Sequence, residues 1–154
     1  MLTTMENPAR PHARGFTLTE LLVTMTLIGV LAAIALPGYG ETTRRVLRQD
    51  ARLALLRIQY RQEQYFSRHL HYATALAGSP DALGLPARSD AGHYLLHIET
   101  PAGSGYLAVA RADPAGRQAR DVRCAQLAVD EAGQRRVGDA HGQWQDEDPD
   151  RCWG

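Results

Sequence analysis

Residues 15–39 read GFTLTELLVTMTLIGVLAAIALPGY, and the fold turns on how this stretch is understood. Before it, residues 1–15 (MLTTMENPARPHARG) are polar and carry a basic patch of Arg10, His12 and Arg14, with Met5 as an alternative start. From Phe16 the chain turns apolar, and no charge stands between Leu21 and Leu36. A positive flank followed by an apolar run keeps the N-terminus cytoplasmic. Ala32, Ala33 and Ala35 could imitate the small-residue cleavage site of a secretory signal. Glu20 argues against that reading. A carboxylate in hydrocarbon costs on the order of 3 kcal/mol and calls for a partner. No basic side chain lies between Phe16 and Leu36. A cut between Gly15 and Phe16 would create an α-amine able to serve.

Helix-forming sequence resumes after Pro37-Gly38 and continues from Glu41 to about Leu70. Leu47, Ala51, Ala54, Leu55, Ile58, Tyr65 and Phe66 recur at three-and-four spacing, with Gln62 interrupting the stripe. Proline kinks a helix without necessarily ending it. Residues 78–88 (GSPDALGLPAR) form a turn-rich connector. Strands are expected at His93–Glu99, Tyr106–Arg111, Val122–Asp130 and Gln134–Val137, and residues 138–154 read as polar and irregular. The expected fold is α+β, a long N-terminal helix packed on an antiparallel sheet of about four strands. Its core is expected from the helix stripe with Leu95, Leu107 and Val109.

The residues around the cut match a family. Gly15 followed by Phe16-Thr17-Leu18-Thr19-Glu20-Leu21-Leu22, continuing through Ile28-Gly29-Val30-Leu31-Ala32-Ala33-Ile34-Ala35 to Pro37 and Tyr39, resembles the class III signal of type IV pilins and type II secretion pseudopilins. Later residues are similar to the PilE-like minor pilins: Gln62 to Phe66, Tyr72, Leu83-Gly84-Leu85, His93-Tyr94, Asp121 to Cys124, Gly133 and the closing Cys152-Trp153. Thr24 and Thr26 depart from the usual aliphatics, and their hydroxyls can bond helix carbonyls. The resemblance implies that prepilin peptidase removes residues 1–15 and that Phe16 is N-methylated. It also implies that Glu20 pairs with the Phe16 amine of a neighbouring subunit. Residues 16–40 would then be the transmembrane and assembly helix, and 41–154 the globular head. The chain would sit in the inner membrane with its head periplasmic, then in an extracellular pilus, with other pilin subunits and the assembly platform as partners.

Cys124 and Cys152 match no zinc spacing, which needs four ligands. In an exported head they would form a disulfide, and in a cytosolic domain two thiols. The resemblance selects the first and places the family's disulfide-bounded surface loop at 124–152. In the chain-entropy model a loop of roughly 29 residues is worth about 3.6 kcal/mol.

Other constellations carry less. The 17 basic residues are all arginine and balance 17 acidic ones, so no global nucleic-acid footprint exists. Arg44, Arg48 and Arg52 share a helical face, as do Arg57 and Arg61, which allows contact with DNA or anionic lipid. A solvated or intersubunit face is the simpler reading, so DNA is an unfavoured partner. His93 and His97 lack a third metal ligand. Asp146-Glu147-Asp148 and Asp150 lie where major pseudopilins bind calcium, but a solvated loop is preferred. No cofactor and no catalytic set is expected. The resemblance implies a minor subunit of the type IV pilus, supporting twitching motility and adhesion. A type II secretion pseudopilin and a DNA-uptake receptor are the alternatives.

Overall fold

The computed structural model describes residues 15–101, 105–145 and 149–153, with side chains at 35–39 outside the described set. The chain divides into two compact units, Met1–Tyr39 and Gly40–Gly154. Helix α1 spans Leu18–His69. It starts two residues after Phe16 because Thr17 is its cap. The Glu20 amide donates to Thr17 Oγ1 at 3.3 Å, and the Thr17 amide donates to Glu20 Oε2 at 3.1 Å. This reciprocal arrangement is a capping box, which satisfies two otherwise orphaned donors.

In the second unit, α1 buries Ala51, Ala54, Leu55 and Ile58 against a five-stranded antiparallel meander. The strands are β1 (Tyr94–Glu99), β2 (Leu107–Ala112), β3 (Gln126–Asp130), β4 (Arg135–Gly138) and β5 (Trp144–Gln145), in chain order across the sheet. Tyr94, Leu96, Ala108, Ala110, Ala112, Leu127, Val129 and Val137 form one core cluster with the helix face. Leu107 and Val109 fall on the opposite face, where they make a second buried cluster with Ala128. The expected core therefore held for Ala51, Ala54, Leu55 and Ile58, but Leu47 and Tyr65 are only half-buried, Phe66 is exposed, and the strand residues are one position out of phase. Leu95, too, is not among the buried core residues. Alternation along a strand carries such a slip to every side chain.

Two further differences have local causes. Residues 122–125 do not extend β3, because 3₁₀ turns at Arg117–Arg120 and Val122–Cys124 bracket Asp121 and aim it inward. The fifth strand is a two-residue pairing, Val137↔Gln145 and Gly138↔Trp144, too short to show a period. Gly138 permits it, since a Cβ there would lie 3.1 Å from Gln126 Cβ and 3.3 Å from Trp144 Cε3. Residues 146–148 of the acidic cluster lie outside the described residues.

Polar contacts lock the helix to the sheet. Arg48 is only 4% exposed and donates from Nε to Asp121 Oδ2 at 2.7 Å and from Nη2 to Oδ1 at 2.9 Å. Gln118, fully buried, donates to Asp121 Oδ2 at 2.9 Å and to the Tyr94 hydroxyl at 2.8 Å. Burial disfavours the Arg48 charge, but the Asp121 bond and charge, with Glu41, outweigh it and raise its pKa. Burial pushes the Tyr94 hydroxyl well above its ordinary pKa. Gln62, which broke the apolar stripe, is buried and bonds both ways with Ala73, each at 2.9 Å. Its amide thus completes the backbone of the chain leaving the helix. Asp50 accepts from Ser89 Oγ at 2.6 Å and from the amides of Ala91 and His93 at 3.1 and 3.2 Å, docking the connector.

Cys124 and Cys152 are joined, with Cα atoms 5.7 Å apart. Both belong to the main core cluster and Trp153 packs on it, so the closing segment, α2 (Asp150–Trp153), is part of the core.

Asp121→Asn should cost about 3–5 kcal/mol in a urea melt, because it strands a buried guanidinium. Adding Arg48→Met should recover much of that loss; a double variant as unstable as the sum of the singles would refute the pairing as its cause. Cys124→Ser with Cys152→Ser should cost about 2–4 kcal/mol and lower the melting temperature by roughly 10–20 °C. An unchanged melting curve would show that the bond does not hold the head together.

Candidate functional site

The first unit presents its apolar residues outward. Phe16 is 85% exposed and Ile34 75%, and Leu18, Leu21, Leu22, Val23, Met25, Leu27, Ile28, Val30 and Leu31 all exceed half exposure. Glu20 stands among them, with its bonds to Thr17 Oγ1 and to the Thr17 amide both made through Oε2. Thr24 and Thr26 bond the carbonyls of Leu21 and Leu22 at 2.9 and 2.8 Å, so their hydroxyls are satisfied within the helix. Gly15 precedes the cap in non-helical backbone. Among the described residues no helix is long and apolar enough to cross a membrane, and the apolar run continues in sequence into residues 35–39, whose side chains are outside that set. Such a run of exposed apolar surface needs lipid or other protein to cover it.

A second apolar stripe lies on the helix of the head. Val46, Leu53, Leu56 and Tyr60 are each more than half exposed, while the opposite face of the same helix is buried. Their spacing of seven, three and four is that of a helix-packing seam.

The arginine row does not survive as one surface. Arg48 is buried on Asp121, and Arg52 donates to the Cys152 carbonyl at 2.9 Å. Arg57 grips Asp90 through two bonds of 2.8 and 2.7 Å, which hold the Asp90 carboxyl below its usual range, and Arg61 faces Gln64. What replaces the row is a groove of 390 Å³ at the start of the head, lined by Arg44, Arg45, Arg48, Arg120, Arg123 and Arg151 with Glu41 and Asp121. Arg123 and Arg151 each precede a bonded cysteine, so the disulfide brings these cations to one place. Arg120 and Asp121 went unnoticed as site residues in the sequence. Arg48 held the available signal, because it falls in register with Ala51 and Leu55, and a cation in a buried stripe demands a buried carboxylate.

His93 contributes its amide to Asp50, and His97 Nε2 lies 3.2 Å from Glu99 Oε1. The histidines are thus not brought together with a third ligand among the described residues.

Comparison with known proteins supplies the family. Residues 37–128 match the family described as type IV minor pilin ComP, DNA uptake sequence receptor. Residues 10–36 match the prokaryotic N-terminal methylation motif. The type IV major pilin protein PilA of Myxococcus xanthus is 34% identical over 74 residues, 46% of this chain and 34% of that protein. The type IV major pilin protein PilE1 of Neisseria gonorrhoeae is 27% identical over 120 residues, 78% of this chain and 54% of that protein. A fimbrial protein of Neisseria meningitidis serogroup B is 30% identical over 91 residues, 58% of this chain and 51% of that protein. The chain spans between about a third and about half of the length of these curated relatives. With a family match over more than half its residues, and with a long helix laid on an antiparallel sheet, the chain belongs to the type IV pilin family.

Proposed function

We propose that this chain is a minor structural subunit of the type IV pilus, incorporated into the filament or priming its assembly, in support of twitching motility and adhesion. One observation carries the reading: a single copy leaves the whole apolar face from Phe16 to Ile34 uncovered, with one carboxylate, Glu20, in its midst. The exposed seam of Val46, Leu53, Leu56 and Tyr60 adds a second surface suited to a neighbour. The minor role is supported by the description of the family matched by the head, whereas PilA of Myxococcus xanthus and PilE1 of Neisseria gonorrhoeae are named major pilins.

In this proposal prepilin peptidase cuts between Gly15 and Phe16, and the new amine is methylated. Residues 16–40 hold the subunit in the inner membrane with residues 41–154 outside, until the assembly platform passes it into the filament. Glu20 then pairs with the Phe16 amine of another subunit. The same steps would serve a type II secretion pseudopilin, whose calcium would fall on Asp146, Glu147, Asp148 and Asp150, the first three outside the described residues.

Mass spectrometry of the mature protein should begin at N-methylated Phe16; a start beyond Ala35 would overturn the anchor. Glu20→Gln separates charge from capping, because glutamine keeps the capping box. It should leave cleavage intact and cut recovery in sheared filaments at least tenfold, as should Glu20→Ala. Normal incorporation of the glutamine variant would reduce Glu20 to a helix cap.

A second reading, a receptor for DNA uptake, is favoured by the description of the matched family. It expects the full chain to bind duplex DNA with an affinity that falls steeply with salt, the logarithmic slope steepening by about 0.9 per phosphate contacted. Retention without salt dependence would remove it.

A further inference from the structure

We propose that the arginine groove binds the phosphate of an anionic phospholipid headgroup in the leaflet facing the head; this rests on the membrane-anchor reading above. Six arginines and two carboxylates line 390 Å³. Asp121 is committed to Arg48, and Glu41 is shared between Arg44 at 3.7 Å, Arg45 at 3.7 Å and Arg48 at 3.5 Å. Arg120 and Arg123 face the groove without a carboxylate partner among the described residues. Guanidinium groups that converge on a concavity form a phosphate site, since each offers a planar fork of donors to the oxygens.

Reach selects the lipid. Arg44 follows Leu36, the end of the apolar run, so closely that even a fully extended chain would keep it within about 28 Å of the membrane boundary. Any anionic headgroup in that leaflet is thereby presented at high effective concentration. Arg44, Arg45, Arg48 and Arg52 also lie within the roughly 15–20 residues beyond a span whose positive charges compete with Arg10 and Arg14 to set its orientation. Cations that oppose the insertion bias need another reason to be there, and neutralisation by headgroup phosphate supplies one. DNA shares the phosphate chemistry but suits the groove less well. A duplex carries a charge about every 1.7 Å of axis and is met by an extended stripe. Single strands need aromatic platforms, and no aromatic side chain lines this groove. The bound headgroup would hold the head against the membrane before assembly and leave it when the subunit enters a filament.

The test uses the full chain in zwitterionic micelles, titrated by calorimetry with water-soluble dihexanoyl-phosphatidylglycerol. Dihexanoyl-phosphatidylcholine, inorganic phosphate and a 12-base-pair duplex are run in parallel. One phosphatidylglycerol should bind per chain, with affinity at least tenfold above the phosphatidylcholine and inorganic phosphate. Arg120→Gln with Arg123→Gln should weaken it by about thirtyfold. Arg61→Gln with Arg68→Gln should change it less than twofold, both variants keeping the wild-type melting curve. Equal binding of the two lipids, or an unaffected Arg120/Arg123 variant, would overturn the proposal. Inorganic phosphate binding as tightly would make this a free-anion site. A duplex that binds more tightly, and is lost in the same double variant, would give the groove to DNA. Flotation of the wild type with neutral phosphatidylcholine vesicles checks the anchor separately, so loss of flotation would strike that reading and not the groove.

Discussion

The buried pair of Arg48 and Asp121 is the constraint around which the head is arranged. A guanidinium on the inner stripe of a helix is strongly destabilising unless a carboxylate meets it with both oxygens engaged. Meeting it requires the chain after β2 to turn inward, and the two 3₁₀ turns either side of Asp121 make that turn. Gln118 braces the carboxylate from behind and ties it to the Tyr94 hydroxyl on β1. Cys124 closes the second turn, so the position of the disulfide follows from the position of Asp121. The ion pair and the covalent bond secure neighbouring points of one segment, and the arginine groove is the outer surface of that assembly.

What was legible in the sequence was whatever carried a period or a chemical contrast. The helix face of Ala51, Ala54, Leu55 and Ile58 repeats at three and four, and it is buried as expected. The strand centres and the cysteine pairing also stood out, the latter once the family resemblance implied export. The inner face of β2 was not legible, because Leu107-Ala-Val-Ala-Arg-Ala is apolar on both faces up to Arg111. Bulk suggests that Leu107 and Val109 point inward. The helix, presenting alanines, instead accepts the alanine side and leaves the larger residues to a cluster of their own. Val122–Cys124 leads into the apolar stretch of β3 in sequence, and only the pull of Arg48 on Asp121, the residue before it, turns it into a 3₁₀ segment.

A row of like charges at helical spacing looks like one surface, but spacing cannot tell which cations are already committed. Arg48, Arg52 and Arg57 are held by contacts from 33 to 100 residues away in sequence. Arg120 and Arg123, scattered in sequence, join Arg44 and Arg45 only once the turns have formed. Sequence proximity therefore overstated the helical patch and hid the groove that tertiary structure assembles.

Glu20 caps its own helix, and in the proposed filament it would carry a second role that need not compete. Its bonds to Thr17 Oγ1 and to the Thr17 amide both run through Oε2, and they begin the helix. This leaves Oε1 available for a neighbour in the proposed filament. The local bonds moderate the cost of a carboxylate in hydrocarbon, on the order of 3 kcal/mol, without neutralising it. An amine about 4 Å away would return about 4 kcal/mol at an effective dielectric of 20. The two magnitudes are close, so in the proposed filament pairing would offset most of the insertion cost. On that reading an isolated subunit would remain in the membrane with a tolerable penalty, yet gain by joining another. In the proposed filament the incoming amine would supply the drive for joining, whereas the insertion cost need only stay small enough for the subunit to enter the bilayer.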